Sequence, residues 1–64
     1  MPLIQITQPP GFDTEQKRAT IKAVSEAYAE VTGKAIESVW VTITEVPSEA
    51  WGVGGTTLAD LHSR

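Results

Sequence analysis

Apolar and polar residues alternate along two short segments of the chain with the period of two that a β-strand requires. The first segment is Leu3–Gln8 (LIQITQ), in which Ile4 and Ile6 face one way and the residues between them face the other way. The Pro-Pro-Gly sequence that follows ends this strand, because proline cannot donate a backbone hydrogen bond to a neighbouring strand. The second segment is Val39–Val46 (VWVTITEV). Its two faces carry Val39, Val41 and Ile43 on one side and Trp40, Thr42 and Thr44 on the other.

Between these segments the apolar residues recur every three or four positions, which is the spacing of one face of an α-helix. The segment reads DTEQKRATIKAVSEAYAEVTG, and we predict a single helix for it. Asp13 and Gln16 have the spacing of a capping pair at its start, and Gly33 suits the residue just after its end. The predicted apolar stripe consists of Ile21, Val24, Ala27, Tyr28 and Val31. The order strand, helix, strand predicts a right-handed β-α-β unit with parallel strands.

After Pro47 the chain becomes glycine-rich over AWGVGGTT, where Trp51 and Val53 alternate with glycine. We predict a tight hairpin or arm here, followed by a short tail over Leu58–Arg64 that forms about one helical turn. The predicted fold class is therefore α/β (α+β), with one β-α-β unit of parallel strands and a C-terminal β-hairpin arm. A chain of 64 residues predicts a single domain over residues 1–64.

The chain has no cysteine and only one histidine, so neither a disulfide nor a structural zinc site is expected to supplement its small core. One helix covers one face of a two-stranded sheet, whereas parallel sheets are normally covered on both faces. We therefore expect the chain to assemble into a symmetric homo-oligomer that covers the second face.

The net charge of −3 argues against a nucleic-acid partner, because phosphate binding favours a basic surface. No apolar run approaches the roughly 18 residues of a membrane span. The start of the chain also lacks the charged and apolar regions of a signal peptide. These observations predict a soluble cytoplasmic protein that contacts neither nucleic acid nor membrane and uses no metal or other cofactor.

Four segments, taken in order, resemble the 4-oxalocrotonate tautomerase family, the short-chain hexameric members of the tautomerase superfamily. They are Met-Pro at the start of an apolar strand, DTEQK at the start of the helix, ESVWVTITEV, and WGVGG. The resemblance covers essentially the whole chain and implies a homohexamer of β-α-β protomers, usually a trimer of dimers. It also implies an isomerase that moves a proton between carbon and oxygen, or along a conjugated enol, of a small-molecule carbonyl substrate.

The same resemblance implies that Met1 is removed and that Pro2 becomes the amino-terminal residue, with its secondary amine as the general base. An α-amino group has a pKa of about 7.7–8.0, and burial in an apolar pocket would lower that pKa by disfavouring the charged form. The amine would then be neutral near pH 7 and could take a proton from the carbon next to a carbonyl. The proline ring also fixes the direction of the lone pair.

Compared with the family, the chain lacks the two arginines that hold substrate carboxylates. Phe12 stands in place of the arginine in the loop before the helix, and Trp40 in place of the one in the second strand. Pro9 replaces a residue whose backbone N–H faces the family's pocket, so that donor is lost as well. Trp51 retains the family's pocket aromatic, which a neighbouring subunit contributes, and Ser38 lies where the family's chain contacts substrate.

Each lost arginine would remove a charge-assisted hydrogen bond of roughly 1.5–3 kcal/mol to a dicarboxylate. The aromatic replacements instead favour an apolar or aromatic substrate such as an arylpyruvate, with Lys17 or Arg18 as candidates for one replacement cation. Each aromatic also has a purely structural interpretation. Trp40 could pack at a subunit interface, Trp51 could anchor the arm, and Phe12 could cover the start of the helix.

Two alternatives to a tautomerase remain open from the sequence. A lyase or hydratase acting on an unsaturated acid would use a protonated Pro2 as an acid. A non-catalytic oligomeric member of the family would have lost its chemistry together with both arginines, and a retained Met1 would favour that interpretation.

Overall fold

The computed structural model describes residues 1–63, and the elements occur in the predicted order. The strands and helices are β1 (Leu3–Gln8), α1 (Thr14–Thr32), β2 (Trp40–Glu45), β3 (Gly52–Val53), β4 (Thr56–Thr57) and α2 (Leu58–His62). Two single 3₁₀ turns, at Ile36–Ser38 and Ser48–Ala50, precede β2 and β3 respectively and were not predicted. The fold class predicted from the sequence is confirmed.

Strands β1 and β2 form a parallel two-stranded sheet whose register runs from Leu3 opposite Trp40 to Gln8 opposite Glu45. Helix α1 connects them, which completes the β-α-β unit. Strand β2 is one residue shorter at each end than predicted. Its predicted first residue, Val39, instead donates its N–H to Ile36 in the preceding 3₁₀ turn, at 3.0 Å.

Helix α1 begins and ends as its capping residues predict. The side chain of Asp13 accepts a hydrogen bond from the N–H of Gln16, and the side chain of Gln16 accepts one from the N–H of Asp13, which together form a capping box. At the other end Gly33 adopts a left-handed conformation (φ 73°) and donates its N–H to the carbonyl oxygen of Ala29 at 2.9 Å. Only glycine adopts this conformation at little cost, so the helix stops there.

The predicted apolar stripe of α1 is only partly correct. Val24 and Tyr28 are half-buried, whereas Ile21 and Ala27 are exposed and Val31 has 86% of its surface exposed. The 19 residues of α1 extend over about 28 Å, and the six residues of β1 over only about 20 Å. The helix is therefore longer than the sheet, and Val31 in its last turn is exposed in a single chain.

A single chain also lacks an apolar interior. Among residues 1–63, Ser25 is the one buried residue, with 8% of its surface exposed, and the apolar side chains that face the helix remain half-buried. The opposite face of the sheet is open, and Leu3, Trp40, Thr42 and Thr44 are exposed on it. The alternation predicted for the two strands is thus confirmed, and its outer face remains uncovered.

The C-terminal segment forms the predicted hairpin. Strands β3 and β4 are antiparallel, and Gly54 and Gly55 connect them with φ angles of 61° and 88°. Two consecutive positive φ angles give the turn a twist that matches an antiparallel pair, and glycine adopts them without strain. The predicted helical turn in the tail is α2, where the hydroxyl of Thr57 caps the first turn; Arg64 lies outside the described residues. The assignment of residues 1–64 to a single domain stays a prediction.

No helix within residues 1–63 is long and apolar enough to cross a lipid bilayer.

Candidate active site

Pro2 and Trp40 lie side by side where the two parallel strands begin. The N–H of Trp40 donates a hydrogen bond to the carbonyl oxygen of Pro2 at 2.9 Å, one step before Leu3 pairs with Trp40. Pro2 is half-buried, and Trp40 has 55% of its surface exposed. This hydrogen bond holds Pro2 through its carbonyl group and makes no use of its nitrogen.

Ser38 belongs to the same end of the sheet, in the 3₁₀ turn that leads into β2. Its hydroxyl donates a hydrogen bond to the carbonyl oxygen of Ala35 at 2.7 Å, and its backbone N–H contacts the same oxygen at 3.0 Å. The turn thus uses the hydroxyl hydrogen of Ser38, while the oxygen keeps lone pairs that can accept a hydrogen bond. Pro2, Ser38 and Trp40 together form what we call the start end of the sheet.

Pro9 and Phe12 lie at the opposite end, in the loop that leaves β1 and enters α1. The length of β1 separates them from Pro2 by about 20 Å along the strand. The side chain of Phe12 is exposed, and Gly11 beside it has a φ of 123°, which a residue with a side chain rarely adopts. Pro9 and Phe12, with residues 10–13 between β1 and α1, form the far end of the sheet. Within one chain the predicted site residues are therefore divided between two ends.

Trp51 lies at the base of the hairpin, directly after the second 3₁₀ turn. Its carbonyl oxygen accepts a hydrogen bond from the N–H of Leu58 at 2.8 Å, across the mouth of the hairpin. The residue is half-buried in the single chain. This hydrogen bond ties the backbone of Trp51 to the hairpin.

The two cations near the start of α1 are already paired with carboxylates. The Nζ atom of Lys17 is 2.9 Å from Oε1 of Glu45, the last residue of β2, and Arg18 contacts Glu15 within the same helix. The sequence analysis considered both as replacements for the missing arginines, and each of them has a carboxylate partner within the chain. The role of Glu45 was missed. The topology could have indicated it, because a β-α-β unit places the first turn of the helix near the last residues of both strands.

Comparison with known proteins gives a consistent result over nearly the whole chain. Residues 2–61 match the model of a family described as "Tautomerase enzyme". A 2-hydroxymuconate tautomerase of Pseudomonas putida is 43% identical over 61 residues, which cover 95% of this chain and 97% of that protein.

Solved structures agree with the sequence relatives. The crystal structure of TomN, a 4-oxalocrotonate tautomerase homologue of the tomaymycin biosynthetic pathway, superposes with a TM-score of 0.95 at 33% identity, covering 98% of this chain and 97% of TomN. A heterohexameric 4-oxalocrotonate tautomerase from Chloroflexus aurantiacus gives a TM-score of 0.89 at 39% identity, with coverages of 95% and 98%. The β-α-β unit with its hairpin is therefore shared with these proteins.

Proposed function

The chain belongs to the tautomerase family and is an isomerase, and we propose that its amino-terminal proline carries out the reaction. In this proposal Met1 is removed and the secondary amine of Pro2 acts as the general base in keto-enol tautomerisation. The substrate is an apolar or aromatic 2-oxo acid or its enol.

The hydrogen bond between Trp40 and Pro2 is the observation that carries this proposal. It holds Pro2 through the carbonyl oxygen, so removal of Met1 would free the nitrogen and leave the anchor in place. Met1 itself is exposed, which is what an aminopeptidase requires of its substrate residue. A base held in one position reacts faster than a mobile one, because the entropy of orientation has already been lost on folding.

The proton transfer is balanced with Pro2 as the only proton carrier. The amine takes the hydroxyl proton of the enol and leaves an enolate. As the electron pair on the oxygen forms the carbonyl group, the π electrons of the carbon–carbon double bond take a proton at carbon from the ammonium group, which restores the neutral amine. The reaction changes the net charge of neither the protein nor the substrate. The reverse reaction uses the same groups in the opposite order.

The site we propose forms between chains. Pro9 and Phe12 are about 20 Å along the strand from the Pro2 of their own chain, so a second chain has to bring its far end to the start end of the first. The open face of the sheet and the partly buried apolar side chains of α1 support such an assembly. The related protein from Chloroflexus aurantiacus is a heterohexamer. For this chain we propose a homohexamer arranged as a trimer of dimers.

The proposed substrate class follows from what stands in the two arginine positions. Phe12 and Trp40 offer exposed aromatic surface there, and Lys17 and Arg18 are each paired with a carboxylate. The Pseudomonas putida relative is named for 2-hydroxymuconate, a dicarboxylic dienol. Because each missing charge-assisted hydrogen bond is worth roughly 1.5–3 kcal/mol, we propose that this chain instead prefers enols that carry an aryl group.

An assay of ketonisation tests base and substrate together. The protein is first weighed by intact mass spectrometry to establish that Met1 is absent. Ketonisation of the enol of phenylpyruvate and of 2-hydroxymuconate is then followed by absorbance. We expect kcat/KM to be higher for the phenyl enol. A higher kcat/KM for 2-hydroxymuconate would contradict the substrate class, and equal activity of protein that retains Met1 would contradict Pro2 as the base.

A further inference from the structure

The loop at the far end, residues 9–13, is held at both of its sides. On the strand side, the N–H of Val46 donates to the carbonyl oxygen of Gln8 at 2.9 Å, which fixes the last residue of β1 to the chain leaving β2. On the helix side, the capping box between Asp13 and Gln16 fixes the residue that precedes the helix, with bonds of 2.8 and 2.9 Å. Between these anchors, Phe12 extends into solvent.

Two prolines restrict the backbone of the loop, because the ring fixes the φ of Pro9 and of Pro10 near −65°. Gly11, with a φ of 123°, is the residue at which the loop can most easily turn. Since the loop is anchored at both of its sides, the position of Phe12 depends on how the start of α1 is placed relative to the end of β2.

One ion pair joins these two elements directly. Lys17, in the first turns of α1, contacts Glu45 at the end of β2 with its Nζ 2.9 Å from Oε1, and its backbone N–H donates to the carbonyl oxygen of Asp13 at 3.1 Å. Glu45 is the register partner of Gln8. Strand pairing joins Gln8 to Glu45, and the ion pair joins Glu45 to Lys17. The backbone bond from Lys17 to Asp13 then leads back to the loop.

The pair between Lys17 and Glu45 is less exposed to solvent than the other ion pair of the chain's described residues. The side chains of Lys17 and Glu45 are 35% and 31% exposed, whereas those of Arg18 and Glu15 are 65% and 79% exposed. The second pair also lies within one helix and connects no two elements. A pair that is a third exposed contributes little to the free energy of unfolding, but it can still decide where one element sits on another.

We propose that Lys17 and Glu45 are positioning residues of the active site, which set the place of Phe12 and thereby the affinity for the substrate. The proposal rests on the proposed role of Phe12 in binding an aryl enol. Lys17 does not contact the substrate in this proposal, and its charge is directed at Glu45.

The variants Glu45→Gln and Lys17→Met break the pair and keep side chains of similar size. We expect the KM for the enol of phenylpyruvate to rise about three- to tenfold while kcat stays within about twofold, because a misplaced loop weakens binding and leaves Pro2 unchanged. Glu15→Gln, which breaks the other ion pair, is the matched control and should leave both constants unchanged. The double variant Lys17→Glu with Glu45→Lys restores a pair of opposite charges and should bring the KM back close to the wild-type value.

Two further measurements separate positioning from a general loss of structure. The double variant Phe12→Ala with Glu45→Gln should raise KM by less than the product of the two single effects, because both substitutions act on the same contact. Hydrogen exchange of the Gln16 and Val46 amides, which donate two of the bonds that anchor the loop, should be faster in Glu45→Gln than in Glu15→Gln when measured by NMR without substrate. A KM that Glu45→Gln does not change, independent effects of the two substitutions, or unaltered exchange would each overturn the proposal.

Failure of the proposed substrate class would look different. In that case the wild-type protein would convert 2-hydroxymuconate better than the phenyl enol. The amide exchange of Gln16 and Val46 would still report whether Lys17 and Glu45 hold the loop, since that measurement needs no substrate.

Discussion

The two ends of the parallel sheet are built in different ways. At the start end, Pro2 and Trp40 are joined by one backbone hydrogen bond, and the large apolar side chains around them are exposed. At the far end, a capping box, a backbone bond and an ion pair enclose a loop that contains two consecutive prolines. In the site we propose, the start end supplies the nitrogen of Pro2 and an open surface, and the far end supplies an anchored loop. That proposed site needs both ends, and a single chain keeps them one strand length apart.

The largest effect should come from blocking the nitrogen of Pro2. Protein that retains Met1, or protein acylated at Pro2, has an amide at this position, and an amide nitrogen has no usable lone pair. We expect activity on the phenyl enol to fall by about 10²–10⁴-fold, the usual contribution of a general base. Pro2→Ala leaves a primary amine in nearly the same place and should keep part of the activity. Full activity in protein whose mass includes Met1 would contradict the mechanism.

The architecture could be predicted from the sequence because its signals are local. Alternation in β1 and β2, the capping pair Asp13 and Gln16, and the two glycines of the hairpin each determine the backbone within a few residues. Val31 could not be placed correctly, because its exposure depends on the helix being longer than the sheet.

The candidate site could be predicted only in part. Pro2 and Trp40 are neighbours because the parallel register pairs the first residues of both strands. Phe12 and Pro9 belong to the other end, and which surface they meet depends on how chains assemble, for which one chain carries no local signal. The pairing of Lys17 with Glu45 depends on the packing of α1 over β2, which residue spacing alone does not give.

Restoring the arginines should reverse the substrate preference. The double variant Phe12→Arg with Trp40→Arg places one cation at each end of the sheet. Two charge-assisted hydrogen bonds to carboxylates should raise kcat/KM for 2-hydroxymuconate by about 10²–10⁴-fold, and activity on the phenyl enol should fall. The matched control is Phe12→Leu with Trp40→Leu, which removes the aromatic rings and adds no charge. If that control gains as much activity on 2-hydroxymuconate, the rings merely obstruct the site and the charges are not what it lacks.

Trp51→Ala tests whether the hairpin contributes to the site or only to assembly. The backbone of Trp51 is held by its bond to Leu58, which the substitution retains, so the hairpin should persist. We expect kcat/KM to fall by about tenfold, as for the loss of one aromatic contact surface of roughly 1.5 kcal/mol, with the hexamer intact by native mass spectrometry. Val53→Ala, on the same arm, is the control. Loss of the hexamer with normal activity per remaining hexamer would make Trp51 an anchor.

The smallest expected departure from wild-type activity, about fourfold, tests the comparison of the two ends most directly. One preparation retains Met1 and so has an inactive start end; the other carries Phe12→Glu and so has a damaged far end. Each should be nearly inactive alone. If every site combines the start end of one chain with the far end of another, unfolding and refolding an equimolar mixture gives about one site in four with both ends intact, and the activity should recover to about a quarter of wild type. Refolding each preparation separately and mixing afterwards is the control and should restore nothing. If the refolded mixture also stays inactive while native mass spectrometry shows mixed hexamers, both ends act within the same chain, and the division of the site between chains is wrong.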